Sequence, residues 1–152
     1  YFSWLNDNEI TEYLEIRFNI PKNVSEIKNF IRTINDSKDS ILFGIFHKDS
    51  NIHIGNIKLD LNKNHRRAEI GLLIGNKSFW GKGYATEAIE IVTKFAFEDC
   101  DIDKVSAGCY EDNIGSAKAF LKVGFIEEAR LNEHWLHSNK RQDGIILSKL
   151  KS

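Results

Sequence analysis

One stretch constrains this chain more than any other. An apolar run, Ile70-Gly71-Leu72-Leu73-Ile74, leads through Asn76-Lys77-Ser78-Phe79-Trp80-Gly81-Lys82-Gly83 into a segment where Ala85, Ala88, Ile89, Val92 and Ala96 recur at helical spacing. That pattern reads as a strand, a glycine-rich turn and a helix. The first turn of a helix has N–H groups without acceptors, and the positive end of the helix dipole lies behind them, so an anion is held there. Gly81 and Gly83 let the backbone approach a ligand closely, Lys82 adds charge, and Thr86 adds a hydroxyl. The expected anion is a pyrophosphate; the plainer alternative is a tight turn and nothing more.

Spacing separates the phosphate loops. A Walker A loop, G-x-x-x-x-G-K-[ST], fails because five residues separate Gly75 from Gly81 and Gly83 follows Lys82. A dinucleotide fingerprint fails because Thr86 stands where its last glycine or alanine belongs.

Elsewhere the elements are short and well punctuated, without repeats. Asn23 with Glu26 makes a cap-like start for a helix over 24–35, carrying Ile27, Phe30, Ile31 and Ile34 inward. Strands are predicted over 41–46 and 52–61, with a phase slip near Gly55 that suggests a bulge, and a turn at 62–65 leads into 67–74. A strand over 104–109, a helix over 115–123 and two strands near 125–133 and 144–149 complete a mixed α/β pattern.

The string Trp80-Gly81-Lys82-Gly83-Tyr84-Ala85-Thr86-Glu87-Ala88 resembles the acetyl-CoA pyrophosphate loop of the GNAT superfamily of N-acetyltransferases. That motif reads Arg or Gln, x, x, Gly, x, then Gly or Ala. Gly83 and Ala85 fill its last fixed places, and Trp80 takes the Arg/Gln place, a departure typical of the branch related to ribosomal-protein alanine acetyltransferases. Asn113-Ile114-Gly115-Ser116 followed by Lys122-Val123-Gly124-Phe125 is similar to a second signature of that branch. The resemblance runs from about Trp4 to Leu150.

What it implies is a GNAT-like fold: a central, mostly antiparallel sheet with splayed middle strands, flanked by helices. Acetyl-CoA would be the co-substrate, with no metal. Its pantetheine would pair with backbone amides of Leu72, Leu73 and Ile74, and its pyrophosphate would meet Trp80, Gly81, Lys82, Gly83, Tyr84, Ala85 and Thr86. Asn113, Ser116 and Phe120 would flank the arm, although Asn113 also suits a plain helix cap. The acceptor is expected to be a primary amine on a small molecule. The sequence from Ala68 to Ala85 looks most like acetyltransferases of bacterial surface-sugar pathways, which act on nucleotide-linked amino sugars. A ribosomal-protein N-terminus and a polyamine are alternative acceptors, and a non-catalytic CoA-binding module is the alternative of another class.

Direct attack by an amine with a pKa near 10 leaves about one molecule in a thousand uncharged at neutral pH, so a proton must be taken. Glu69, expected to be partly buried between Ala68 and Ile70, is the first candidate base; pairing with Arg66 or Arg67 is its structural alternative. Many GNAT enzymes place a tyrosine where this chain has Phe120, which leaves Ser116 or Tyr110 to assist the departing thiolate. Glu133, the second candidate base, and His134 are expected on the acceptor side, and Trp4 and Tyr13 either line that pocket or sit in the core. His65-Arg66-Arg67 is a solvated turn or a contact for an anionic substrate. His134-Trp135-Leu136-His137 lacks the partners a zinc site needs.

Composition fits these expectations. With 152 residues, 41% hydrophobic, a chain of this size forms one domain, taken as 1–152, whose core needs no disulfide or metal. A net charge of −1 gives no cationic field for nucleic acid, and two isolated cysteines give no disulfide framework. No apolar run is long enough to span a membrane, and a cytoplasmic protein is expected, with a homodimer as its candidate assembly. The chain contains no Met, and a further N-terminal strand is expected to precede Tyr1.

Overall fold

A computed structural model describes residues 2–11, 23–137 and 139–152. Two short helices open it, α1 (Phe2–Leu5) and α2 (Asn8–Thr11), and α3 (Val24–Asp36) follows. The cap expected of α3 is present: Asn23 Oδ1 accepts from the Glu26 N–H at 3.0 Å, and Ile27 and Ile34 are buried. The strands are β1 (Ser40–Phe46), β2 (His53–Asn62), β3 (Arg67–Ile74), β4 (Lys104–Tyr110), β5 (Ile126–His137) and β6 (Lys140–Leu150). Helix α4 (Tyr84–Asp99) lies between β3 and β4, and α5 (Ile114–Lys122) between β4 and β5.

The strands form one sheet in the order β1-β2-β3-β4-β6-β5, antiparallel except where β3 runs parallel to β4. A mixed, mostly antiparallel sheet flanked by helices is the fold the sequence led us to expect. The phase slip near Gly55 is a real bulge. Ile45 pairs with Gly55 and Phe46 with His53, which leaves Ile54 as the extra residue.

Alternation sorts the two faces. Ile57, Leu59, Ala68, Ile70, Val105, Ala107, Cys109, Ile145 and Leu147 meet Ala88, Ile89, Val92 and Ala96 of α4 and Ala119 and Phe120 of α5 in one core. Burying each large aliphatic side chain there contributes roughly 1.5–3 kcal/mol. The opposite face carries Ser40, Lys58, Asp60, Glu69, Lys104 and Ser106, joined by a Ser40–Asp60 hydrogen bond of 2.6 Å and a Lys58–Asp60 ion pair of 3.3 Å.

β5 and β6 run further than expected and meet in a tight hairpin, with Trp135↔Gln142, Leu136↔Arg141 and His137↔Lys140 paired. Their mostly polar sequence conceals this, because few apolar residues mark the extended ladder. Tyr13 lies outside the described residues.

Candidate functional site

Each parallel strand feeds a helix. β3 leads to α4 and β4 to α5, so both helix N-termini lie at the carboxyl edge of these two strands, where ligands settle in α/β sheets. β3 and β4 pair only at Arg67↔Lys104, Ala68↔Val105 and Glu69↔Ser106. Beyond that point β3 stays on β2 as far as Ile74, and β4 stays on β6 as far as Tyr110. The strands therefore part in a V.

The backbone direction along β3 follows from its end. Gly75 N–H donates to the Ile54 carbonyl at 2.9 Å, which makes Ile74↔Gly55 a non-hydrogen-bonded pair. By alternation Leu72 and Ile74 turn their N–H and C=O groups into the V. Leu73 turns its own toward Asn56 of β2, so of the three amides expected there it is the one directed away.

The loop after β3 is tightly self-bonded. Asn76 Oδ1 accepts from the Ser78 N–H at 3.1 Å, and the Phe79 and Trp80 N–H groups donate to the carbonyls of Asn76 and Lys77 at 3.0 and 3.1 Å, forming one turn of 3₁₀ helix over Lys77–Phe79. The Trp80 indole N–H donates to the Ile74 carbonyl at 2.7 Å. Gly81 and Gly83 follow at φ 69° and 85°, left-handed conformations that glycine adopts without steric cost. Gly83 is the N-cap of the 16-residue α4 and has no side chain to cover its first turn. The first helical bond there runs from the Glu87 N–H to the Gly83 carbonyl at 3.0 Å, so the N–H groups of Tyr84, Ala85 and Thr86 have no helical acceptor. These are the open amides that the sequence led us to expect would cradle an anion.

The two loop lysines differ. Lys77 binds Asp7 at 2.8 Å and Glu9 at 2.6 Å. Hydrogen bonding from Lys77 lowers the Asp7 pKa, and the same pairing with Asp7 and then Glu9 raises that of Lys77. Lys82 has no ion pair among the described residues; its Nζ lies 5.8 Å from the centre of the Phe79 ring and is available to an anion. Trp4 of α1 packs on Gly75, and its ring centre is 4.9 Å from that of His53. Residues 4–9 thus brace the base of the loop.

On the second wall, Asn113 caps α5. Its Oδ1 accepts from the Ser116 N–H at 3.4 Å, which leaves its amide NH₂ as the group a ligand could use. Ser116 is half-buried in the first turn. Phe120, expected to flank the cofactor arm, is 3% exposed and packs into the core with its ring edge-on to Phe125 at 5.0 Å.

Glu69 occupies the last β3–β4 pair, at the vertex of the V. Its flanking Ala68 and Ile70 are buried in the core, and alternation places Glu69 itself on the opposite face, exposed, which corrects the partial burial expected of it. Arg66, offered as its partner, instead binds Asp101 at 3.0 Å and Asp103 at 2.8 Å. No cation pairs with Glu69 among the described residues.

Tyr110 is 3% exposed, stacked on His137 (ring centres 4.9 Å, 26°) and edge-on to Trp135 at 5.2 Å. Glu133 adopts φ 45° where the β5–β6 register breaks, and its N–H donates to Asp143 Oδ1 at 2.9 Å. His134, exposed, sits 5.5 Å from the Trp135 ring. Sequence reasoning passed over Trp135, which lies across two strand glycines. A Cβ on Gly108 would come within 3.3 Å of it, and one on Gly144 within 2.9 Å. Glycines inside strands signal such close approach and could have pointed to it. No group of three potential metal ligands gathers among the described residues.

Comparison with known proteins agrees with this geometry. The family model described as an acetyltransferase (GNAT) domain matches residues 1–126. The chain belongs to the GNAT acetyltransferase family. Among its relatives, the uncharacterized N-acetyltransferase YoaA of Bacillus subtilis is 31% identical over 99% of this chain and 85% of its own length. The putative ribosomal N-acetyltransferase YdaF of Bacillus subtilis is 30% identical over 60% of this chain and 50% of its own. A spermidine N-acetyltransferase from Vibrio cholerae, solved with CoA and spermine, shares the fold at TM-score 0.87 and 21% identity, covering 98% of this chain and 86% of that one. A GNAT-family acetyltransferase from Bacillus anthracis does so at TM-score 0.82 and 22% identity, covering 98% and 86%. As a GNAT protein this chain is an acyltransferase.

Proposed function

We propose that this GNAT enzyme moves an acetyl group from acetyl-CoA to a primary amine of a small, positively charged molecule, a polyamine being the best-fitting class. The observation that carries the reading is the V between β3 and β4, with Glu69 at its vertex and the open amides of Tyr84, Ala85 and Thr86 at its mouth. The residues present suit acetyl-CoA. The cradle and Lys82 would take the pyrophosphate, and the inward backbone groups of Leu72 and Ile74 would pair with the amides of pantetheine. A backbone N–H in the V would also stabilise the oxyanion that develops during acyl transfer.

The amine nitrogen bonds to the acetyl carbon as the carbon–sulfur bond breaks. Glu69 takes the amine proton directly or through water, and the departing thiolate receives one from Ser116, Tyr110 or water. Tyr110 is 3% exposed and packed against Trp135, which favours Ser116 or water as the source.

A cationic acceptor is favoured by one carboxylate on the open face, that of Glu69 at the vertex of the V. Glu69 and Asp60 are cross-strand neighbours there; Asp60 is paired with Lys58, and Glu69 has no ion-pair partner among the described residues. A nucleotide-linked amino sugar, favoured on sequence grounds, would need cations; Arg66 of the basic turn is held by Asp101 and Asp103. The solved spermidine N-acetyltransferases of the same fold are compatible with the polyamine reading.

The test is thiol release from acetyl-CoA with spermidine, a nucleotide-linked amino sugar and an alanine-terminated ribosomal peptide as acceptors, with product mass measured. Spermidine acetylation is expected to lead. Turnover of the sugar or the peptide alone would replace the acceptor assignment, and CoA binding without thiol release from any amine would favour the non-catalytic module.

A further inference from the structure

The residue in the Arg/Gln place of the phosphate-loop motif has a different task in this chain. We infer that Trp80 is a positioning residue for the cofactor, acting through the Ile74 carbonyl rather than by touching the pyrophosphate; the inference rests on acetyl-CoA occupying the V. An indole has one hydrogen-bond donor and no acceptor. That donor is engaged by the Ile74 carbonyl at 2.7 Å, so the side chain has nothing left to offer a phosphate oxygen, although the residue is 40% exposed at the loop.

The position of that carbonyl gives the bond its consequence. Ile74 is the last residue of β3 and turns its C=O into the V, away from β2. Without a partner, its negative end would face the stretch where the carbonyl oxygens of pantetheine and the pyrophosphate approach. The indole N–H quenches that repulsion. It also removes one acceptor from the V, which leaves the N–H groups of Leu72 and Ile74 and the Leu72 carbonyl to set the register of the bound arm.

The same bond closes the segment from Ile74 to Trp80 into a ring. The two left-handed glycines that follow then start from a fixed point, which pre-orients the open amides of α4. Losing that orientation weakens ligand binding without altering the chemical step.

The experiment compares the parent with Trp80→Phe, which keeps a ring and deletes the donor, and with Gly83→Val, which obstructs the loop. Calorimetry with CoA, steady-state kinetics and melting temperatures are measured for all three. Hydrogen exchange of the three tryptophan indole N–H groups is followed by NMR in the parent, with the Trp80 resonance assigned by its loss in Trp80→Phe. We expect Trp80→Phe to raise the CoA Kd and the acetyl-CoA KM about three- to tenfold, with kcat at saturation and melting temperature close to the parent. We expect the Trp80 indole N–H to exchange slowly despite its exposure.

Parental Kd and KM in Trp80→Phe, or an indole that exchanges as an open one does, would overturn the inference. So would a joint fall in kcat and melting temperature, which would mark general loss of structure. Weak CoA binding in Gly83→Val beside parental binding in Trp80→Phe would keep the loop as the cofactor site and reject Trp80 alone. A parent that does not bind CoA would reject the cofactor reading and this role with it.

Discussion

Substituting Gly75 should detach the N-terminal helices from the loop that follows β3. A Cβ built there would lie 1.9, 2.2 and 2.3 Å from Cδ2, Cε3 and Cγ of Trp4. Those atoms belong to the inner part of the indole, so no small rotation of the ring clears them, and the ring must leave its place between Gly75 and His53. Removing a fully buried tryptophan side chain costs about 3–5 kcal/mol; Trp4 is half-buried, so displacement should cost about 2 kcal/mol. For a domain of this size that corresponds to a fall in melting temperature of roughly 4–8 °C. The contacts of Lys77 with Asp7 and Glu9 are exposed and will not hold α1 in place alone. The decisive assay is a double-mutant cycle followed by thermal melts and tryptophan fluorescence. Gly75→Ala and Trp4→Ala should each lower stability by a similar amount, and the double variant should be no worse than Trp4→Ala, because the clash has lost its partner. If the double variant lost the sum of the two effects, or if Gly75→Ala melted with the parent, Trp4 would not be what keeps residue 75 a glycine.

Gly83→Val should bind CoA at least about tenfold more weakly by calorimetry while staying folded. The left-handed backbone, φ 85°, should cost it about 1–2 kcal/mol, and there is open space around the new Cβ; unchanged affinity would move the phosphate site elsewhere. Glu69→Gln should slow turnover at neutral pH and recover in part as pH rises and more amine is uncharged, with CoA affinity retained; parental rates from pH 7 to about 9.5 would remove Glu69 from the proton path. Ser116→Ala should slow turnover only a few-fold, since water can protonate the thiolate in its place; abolished activity with normal CoA binding would make Ser116 obligatory. Burial pushes the Cys109 thiol up to about 11, and burial also raises Cys100, so at pH 8 both are protonated and slow to alkylate. The half-buried Cys100 should be labelled first, as mass spectrometry of a time course would reveal, and prior labelling of Cys109 would contradict the packing of β4.

Much of this architecture was legible in the residues. The Asn23–Glu26 cap, the bulge beside Gly55 and the sequence from Ile70 through the glycine turn to the stripe of α4 each carry a local signal. That signal arises from the same physics that forms the element. What escaped was set by partners distant in sequence. Nothing local says that Lys77 will be held by Asp7 and Glu9 while Lys82 stays available, or that Arg66 will reach Asp101 and Asp103. The extension of β5 and β6 into a hairpin escaped because residues 132–143 are mostly polar, with Trp135 and Leu136 too few to mark an alternating pattern. Glu69 is different. Its flanking apolar residues suggested burial, yet in a strand they argue the reverse: if Ala68 and Ile70 point to the core, the residue between them points away. The direction of Leu73 follows the same alternation, but it required the Gly75–Ile54 bond to fix the phase.

The run Ile70-Gly71-Leu72-Leu73-Ile74 has another consequence when seen as an edge. An apolar strand with unpaired backbone groups is the kind of surface on which protein chains add to one another and aggregate. On its outer flank the sheet guards against this by charge, with Glu127, Glu128, Arg130 and Glu133 along β5. Along Ile70–Ile74 no such charges are present. Here the guard is geometric. The edge is turned inward, closed at one end where β3 and β4 still pair and backed by α4, so a foreign strand has no flank along which to align. A cleft of this shape can keep a sticky lining for a slender ligand and still remain closed to its neighbours.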